Sequence, residues 1–265
     1  MYMTSVKPSL TSASDMRAAL KEGGMISSWF AMGSVPLIEI GALDDFDTAI
    51  IDLQHGLWDR MTAHLAVSVL GSKPAIMRVA ANTMPAIGEA LDSGAEGVLV
   101  PLVETAEQAR AAVASATFPE EGVRSGGGVR PLSEGFSRYH KRSVNPLIGM
   151  MIETAIGVQN AAEIAAVSGV DFVFIGTGDL ALSLGCFPKI DERHEAACQS
   201  VFDACKEAGI PCGIFTATAE AAAARMEQGY AMSVAANDVD VVLNGFSQAA
   251  KIARREVVLK DATRA

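Results

Sequence analysis

Two carboxylates stand where chemistry is possible. Glu153 ends the apolar run LIGMMIE, and Asp179 lies three residues beyond the apolar run VDFVFIG. The segment between the runs has the length of a helical crossover, so the two strands lie parallel with their C-terminal ends on one edge. Two carboxylates there make an oxygen site for a hard divalent cation, Mg2+ or Mn2+. The plainer alternative is that Glu153 caps the following helix and Asp179 sits in the first turn of another, where the macrodipole favours both. His55, in DLQHG, directly follows the run FDTAIIDL. With an ordinary pKa of about 6.5, an imidazole can move protons at neutral pH. Asp52, three residues earlier, either orients and charge-balances His55 or simply ends a strand. Arg78 interrupts the apolar run PAIMRVA. A guanidinium there needs an anion: a structural ion pair, or a substrate carboxylate or enolate oxygen at a barrel mouth. Gly176, Thr177 and Gly178, in IGTGD, offer free backbone N–H groups at a helix start, a cradle for a carboxylate. His64, His140 and His194 fall in helical or loop segments and read as surface positions.

These residues need parallel strands to bring them together. Eight short runs have strand character, at 26–32, 46–53, 74–80, 97–103, 147–153, 170–176, 211–216 and 231–237. Segments with helical apolar spacing lie at 14–22, 34–42, 58–70, 83–93, 105–116, 155–167, 192–208, 218–228 and about 239–256. Gly94, Gly169, Gly209 and Gly229 follow such segments as C-terminal caps do, and Thr105 with Gln108 resembles a capping box. Strict alternation over this length favours a single (β/α)8 barrel domain spanning 1–265, with an additional N-terminal helix. A doubly wound open sheet is the runner-up, but AMGSVPLIEIG lacks the GxGxxG turn that fold places after its first strand. One connection, 119–146, is unusually long and carries Arg124, Arg130, Arg138 and Arg142 among several glycines. It reads either as a flexible surface loop or as a lid or subunit-contact loop offering arginine to an anionic substrate.

Composition excludes several classes. With 21 basic against 31 acidic residues the formal charge is −10, which repels phosphate backbones and anionic lipid, so neither nucleic acid nor membrane is an expected partner. No apolar run has the length of a membrane span, and no secretory signal is visible near the start. The four cysteines form no CxxC pair, which argues against a zinc site and for a reducing, cytoplasmic setting.

The blocks AIIDLQHG, MRVAANTMPAIGEALDSGAEGVLVPLVETAEQA and MMIETAIGVQNAAEIAAVSGVDFVFIGTGDLALSLG resemble the HpcH/HpaI aldolase family, class II pyruvate aldolases on a (β/α)8 barrel, with the likeness running over roughly 15–258. The resemblance implies that Glu153 and Asp179 hold Mg2+, Mn2+ or Co2+, that Arg78 stabilises the enolate oxygen, and that His55 is the acid/base. It also implies that Asp92 raises the basicity of His55, that Gly176, Thr177 and Gly178 bind the substrate carboxylate, and that Arg124 begins the family's glycine-rich loop. By the same resemblance the protein is a homo-oligomer, a hexamer with C-terminal helices exchanged between partners. Two positions depart from the pattern: Gln54 stands where many members have Glu, and Met151 where many have Gln.

The expected reaction is reversible addition of pyruvate enolate to an aldehyde, giving a 4-hydroxy-2-oxo acid. No lysine stands at a strand's C-terminal edge, so a Schiff-base route is not indicated. A CoA-thioester lyase or Claisen-type enzyme on the same barrel is the alternative, and a catalytically degenerate binding barrel a second one.

Overall fold

The computed structural model describes residues 10–43 and 45–262, with side chains described through residue 254. Its eight strands are β1 (Met25–Phe30), β2 (Thr48–Asp52), β3 (Ala75–Arg78), β4 (Gly97–Val100), β5 (Leu147–Ile152), β6 (Phe172–Ile175), β7 (Cys212–Ile214) and β8 (Met232–Asn237). They pair in parallel in chain order, and β8 returns to β1 to close the barrel. Seven of these strands fall within a run expected from the sequence, and β1 begins one residue before its run, at Met25. The open-sheet alternative is excluded by that closure.

Strand alternation divides the core in two. On β2 and β3, Ile50 and Ile76 point inward, whereas Ala49, Ile51, Ala75 and Met77 pack against the surrounding helices. The interior is filled by Trp29, Leu99, Leu147, Met151, Phe172, Phe174 and Met232. This is a packed interior, as small closed barrels require, and the site can only sit at its mouth. The same two-residue period carries the chemistry: Asp52 follows Ile50, Arg78 follows Ile76 and Glu153 follows Met151, each one step nearer the C-terminal rim.

The helices are α1 (Ala13–Glu22), α2 (Val35–Gly41), α3 (Arg60–Val69), α4 (Met84–Asp92), α5 (Ala106–Ala116), α6 (Val129–Glu134), α7 (Phe136–Ser143), α8 (Ala155–Gln159), α9 (Ala161–Ala165), α10 (Thr177–Ser183), α11 (Glu192–Ala208), α12 (Ala219–Glu227) and α13 (Asp238–Ala262). The capping box of Thr105 and Gln108 starts α5, and Gly209 ends α11 in the left-handed region at φ 71°. Helix α1 closes the N-terminal end of the barrel: Met16 and Leu20 join the interior cluster, and the Arg17 guanidinium meets Asp171 at 2.6 Å.

Three regions differ from the sequence expectation. The segment 155–167 is two short helices that meet at Asn160, whose ψ of 10° interrupts the helical backbone. A further helix, α10, begins at Thr177. The long connection 119–146 holds α6 and α7, separated by Gly135 at φ 85°. Its arginines are largely spent on the protein itself. Arg130 donates to the Ser93 and His64 carbonyls, and Arg142 pairs with Glu96 and Glu134. This binding makes the connection a clamp on the barrel's side. The expected final helix is α13, but its side chains beyond 254 lie outside the described residues. Among the described residues no helix is long and apolar enough to cross a membrane.

Gly149 faces inward between Leu147 and Met151, and a Cβ there would collide with the Phe172 ring. Gly149→Ala is therefore expected to destabilise the protein by about 1–3 kcal/mol through overpacking. Denaturant unfolding should show a lower midpoint with an unchanged m-value.

Candidate active site

Asp52 is the hub of the barrel mouth. Neighbouring strands place it opposite Arg78 in register, and Arg78 donates Nε at 2.8 Å and Nη2 at 2.5 Å to its two carboxylate oxygens. Trp29 Nε1 donates to it at 3.3 Å, and the backbone N–H groups of Gln54 and His55 donate at 3.0 and 3.2 Å. Burial by itself would raise the Asp52 pKa. The hydrogen bonds and charge of Arg78, with those two backbone groups, outweigh it and hold the carboxyl below its usual value. Asp52 thus positions His55 through the backbone of its turn, and pairs with Arg78. The Arg78 guanidinium lies over the Trp29 indole, 4.9 Å from the ring centroid. Its third nitrogen, Nη1, faces the Met151 thioether at 4.0 Å, a contact too long to occupy a charged donor.

Glu153 is almost fully buried at the end of β5. Its Oε1 accepts from the Leu102 backbone N–H at 2.8 Å. Leu102 holds φ at +54°, the one non-glycine positive φ among the described residues. Backbone strain of this kind collects at functional sites. Burial pushes the Glu153 pKa up to about 7; the Leu102 N–H and Arg78 oppose the rise, while the neighbouring Asp179 carboxylate adds to it. Two carboxylates held together at the cost of ionisation suit a hard cation, which would relieve both the burial and the repulsion. Among the described residues no group of three His, Cys, Asp or Glu side chains gathers as a ligand set. Glu153 and Asp179 are the two carboxylates of this cavity that could hold a metal. His55 Nε2 lies 4.0 Å from Asp179 Oδ2.

These groups share a cavity of about 300 Å³, lined by Trp29, His55, Arg78, Met151, Glu153 and Gly176–Asp179, with Leu182, Phe187 and Phe215 around them. The residues expected to form the site are thus largely brought together. Asp92 and Arg124 are not. Asp92, half-buried at the end of α4, pairs with Arg124 at 3.2 Å and lines a separate cleft with Met61, His64, Gly128 and Val129. Burial raises its pKa against the opposing effect of Arg124. Arg124 is fully buried, stacked on Phe118 at 4.5 Å and bonded to Tyr139. Within one chain this arginine braces the clamp of α6 and α7. Of the two departures, Met151 forms part of the cavity floor, and Gln54 leaves its Oε1 buried without a partner.

Four supporting residues escaped sequence reasoning. Trp29, on β1, acts on Asp52, and Leu102, just past β4, acts on Glu153. His194 is buried, not superficial, and its Nε2 lies 2.9 Å from the Thr177 carbonyl. A carbonyl only accepts, so that nitrogen carries the proton and braces the Gly176–Gly178 turn. Asp238, at the end of β8, accepts from the backbone of Ala31 and Met32 at 2.9–3.0 Å. Its place just past a strand was a legible signal. The other three lacked one.

A closed (β/α)8 barrel with carboxylates, a guanidinium and an imidazole gathered at its mouth has the architecture of a barrel enzyme. The description HpcH/HpaI aldolase/citrate lyase matches residues 26–245, and the chain belongs to that family. It is 34% identical over 238 residues to the 2-dehydro-3,6-dideoxy-6-sulfogluconate aldolase of Pseudomonas putida, covering 84% of this chain and 90% of that one. It is 34% identical over 230 residues to the hydroxypyruvate/pyruvate aldolase of Cupriavidus necator, covering 82% and 83%. A family protein of known structure from Burkholderia cenocepacia superposes with a TM-score of 0.86 at 30% identity, over 92% of this chain and all of that one. The protein is a carbon–carbon lyase, an aldolase.

The folded, metal-free protein keeps Glu153 protonated up to about pH 7, whereas the unfolded chain releases that proton near 4.5. The unfolded state then binds fewer protons between these values, so stability falls as pH rises through them. Glu153→Gln should raise metal-free stability by about 1–3 kcal/mol at pH 8 and change it little at pH 4.5. It should also abolish Mn2+ binding. Denaturant titrations at the two pH values and calorimetry with Mn2+ check both outcomes.

Proposed function

We propose that this aldolase forms the enolate of pyruvate and adds it reversibly to an aldehyde, with a divalent ion (Mg2+, Mn2+ or Co2+) held by Glu153 and Asp179. The observation that carries the reading is the meeting of two carboxylates, a buried arginine with a spare donor and an exposed histidine in one cavity. The hydroxypyruvate/pyruvate aldolase among the relatives supports an oxo-acid donor of this size. A bound cation supplies Lewis-acid stabilisation of charge developing on the donor's oxo oxygen. Arg78 adds to this through Nη1, since its other two nitrogens are fixed on Asp52. The Gly176–Thr177–Gly178 backbone takes the carboxylate; Gly176 packs so closely on Glu153 that a Cβ would sit 2.5 Å from its Oε2. His55, with a side chain 61% exposed, stands at the outer edge and moves the proton to and from the aldehyde oxygen.

Asp92 and His55 line different cavities in one chain, so an influence of Asp92 on His55 belongs to an assembly in which one subunit's cleft meets another's mouth. Exposed Met61 and Val129 at that cleft, and exposed Val239, Leu243 and Phe246 spaced along α13, support a homo-oligomer.

Pyruvate methyl protons should exchange with deuterium in the presence of Mg2+ or Mn2+ and cease to do so in EDTA; NMR reads this without knowledge of the aldehyde. Lack of exchange with metal bound would reject the enolate reading. His55→Ala should lower aldol cleavage by about 100-fold or more while leaving Mn2+ affinity unchanged. Equal loss of both would make His55 a ligand.

A further inference from the structure

The turn of Gly176, Thr177 and Gly178 is held from behind by a residue that does not line the cavity. His194 stands in the first turn of α11 and is buried. Its Nε2–H donates to the Thr177 carbonyl at 2.9 Å. The other ring nitrogen, Nδ1, lies 3.9 Å from Cys198 Sγ, one helical turn further along α11. Burial pushes the Cys198 pKa up to about 11, so near neutral pH the thiol keeps its proton and can donate it. A neutral imidazole with its proton on Nε2 has a lone pair on Nδ1. The thiol meets that lone pair, which favours the tautomer able to hold a carbonyl.

The helix behind this contact is firmly placed. Cys198 and Val201 are fully buried in the layer between barrel and helices. Glu195 accepts from Arg225 of α12 through both carboxylate oxygens, at 2.6 Å each. Thr177 is tied on another side as well: its hydroxyl donates at 3.2 Å to the carbonyl of Phe215, just past β7. Both the carbonyl and the side chain of Thr177 are thus fixed to the scaffold.

A trans peptide is planar, and its C=O and N–H point in opposite directions. The Thr177 carbonyl and the Gly178 N–H belong to one such unit. Drawing the carbonyl back onto α11 turns the N–H the other way, to the face of the turn that lines the cavity. We infer that His194 is a positioning residue for the donor: through the Thr177 carbonyl, and with its tautomer held by Cys198, it aims the Gly178 N–H at the donor's carboxylate. This rests on the reading above, in which that turn takes the carboxylate. The carboxylate is present in the oxo acid and in its enolate alike, so the contact stabilises both. Its loss raises KM and leaves kcat in place.

The test is the kinetics of pyruvate methyl exchange with deuterium, followed by NMR on the Mg2+-loaded protein in its native assembly. His194→Leu keeps apolar bulk and loses the donor, and His194→Gln returns an N–H close to the place of Nε2. We expect KM for pyruvate to rise by about tenfold in His194→Leu, with kcat within about twofold of the parent protein. In His194→Gln, KM should fall back to within about threefold of the parent value. Calorimetry with Mn2+ should give one affinity for all three proteins, which separates this role from general damage to the site. Cys198→Ala removes the thiol and leaves the imidazole free to change tautomer; KM should rise by about threefold. An unchanged KM in His194→Leu, a fall in kcat alone, or a His194→Gln no better than His194→Leu overturns the assignment. Should His194→Leu not fold, an unchanged KM in Cys198→Ala overturns it. Absence of exchange in the parent protein with metal bound would show instead that the enolate reading has failed, and this inference with it.

Discussion

The mouth of the barrel depends on one buried ion pair. Asp52 and Arg78 sit opposite each other on adjacent strands, each pointing inward because strand alternation gives it no other direction. Neither charge is tolerable there alone, and removing one partner of such a pair typically costs about 3–5 kcal/mol. Together they also fix what surrounds them. Asp52 takes the backbone of the turn that presents His55, and Arg78 lies on Trp29 and turns its remaining nitrogen to the floor of the cavity. The positions of His55 and Arg78 are thus both set through the Asp52 carboxylate.

Glu153 shows a second use of burial. Its carboxyl is drawn out of water, clamped by the N–H of a strained Leu102 and set beside Asp179, so that its ionised form is disfavoured. A group arranged like this costs the fold stability as pH rises towards neutrality, and a cation beside it would relieve that cost.

Much of this was legible in the sequence because the barrel converts order along the chain into position. Once eight strand runs are marked, the residues at and just past each C-terminal end are at the mouth, and Asp52, His55, Arg78, Glu153 and Asp179 are among them. What escaped detection was set by contacts between distant segments. Arg124 and Arg130 look available in a glycine-rich stretch, but Tyr139 and the Ser93 and His64 carbonyls hold them. His194 looks like a helix-start surface residue, yet it is turned inward onto the Thr177 carbonyl. Asp92 was tied to His55 only by resemblance, and in one chain they occupy different cavities. Periodicity reports which way a side chain faces, not what it will meet there.

Gly149 and Gly213 leave room inside the barrel for the rings of Phe172 and Phe174. Both rings stand on β6 and fill the interior beside Gly149 of β5 and Gly213 of β7. Depth is therefore the invariant of this scaffold. Its outline above the rings is drawn by α10 and the short stretch to Phe187, pieces that close no strand pairing. A side chain at that opening can therefore be exchanged without touching the packing that holds the strands together.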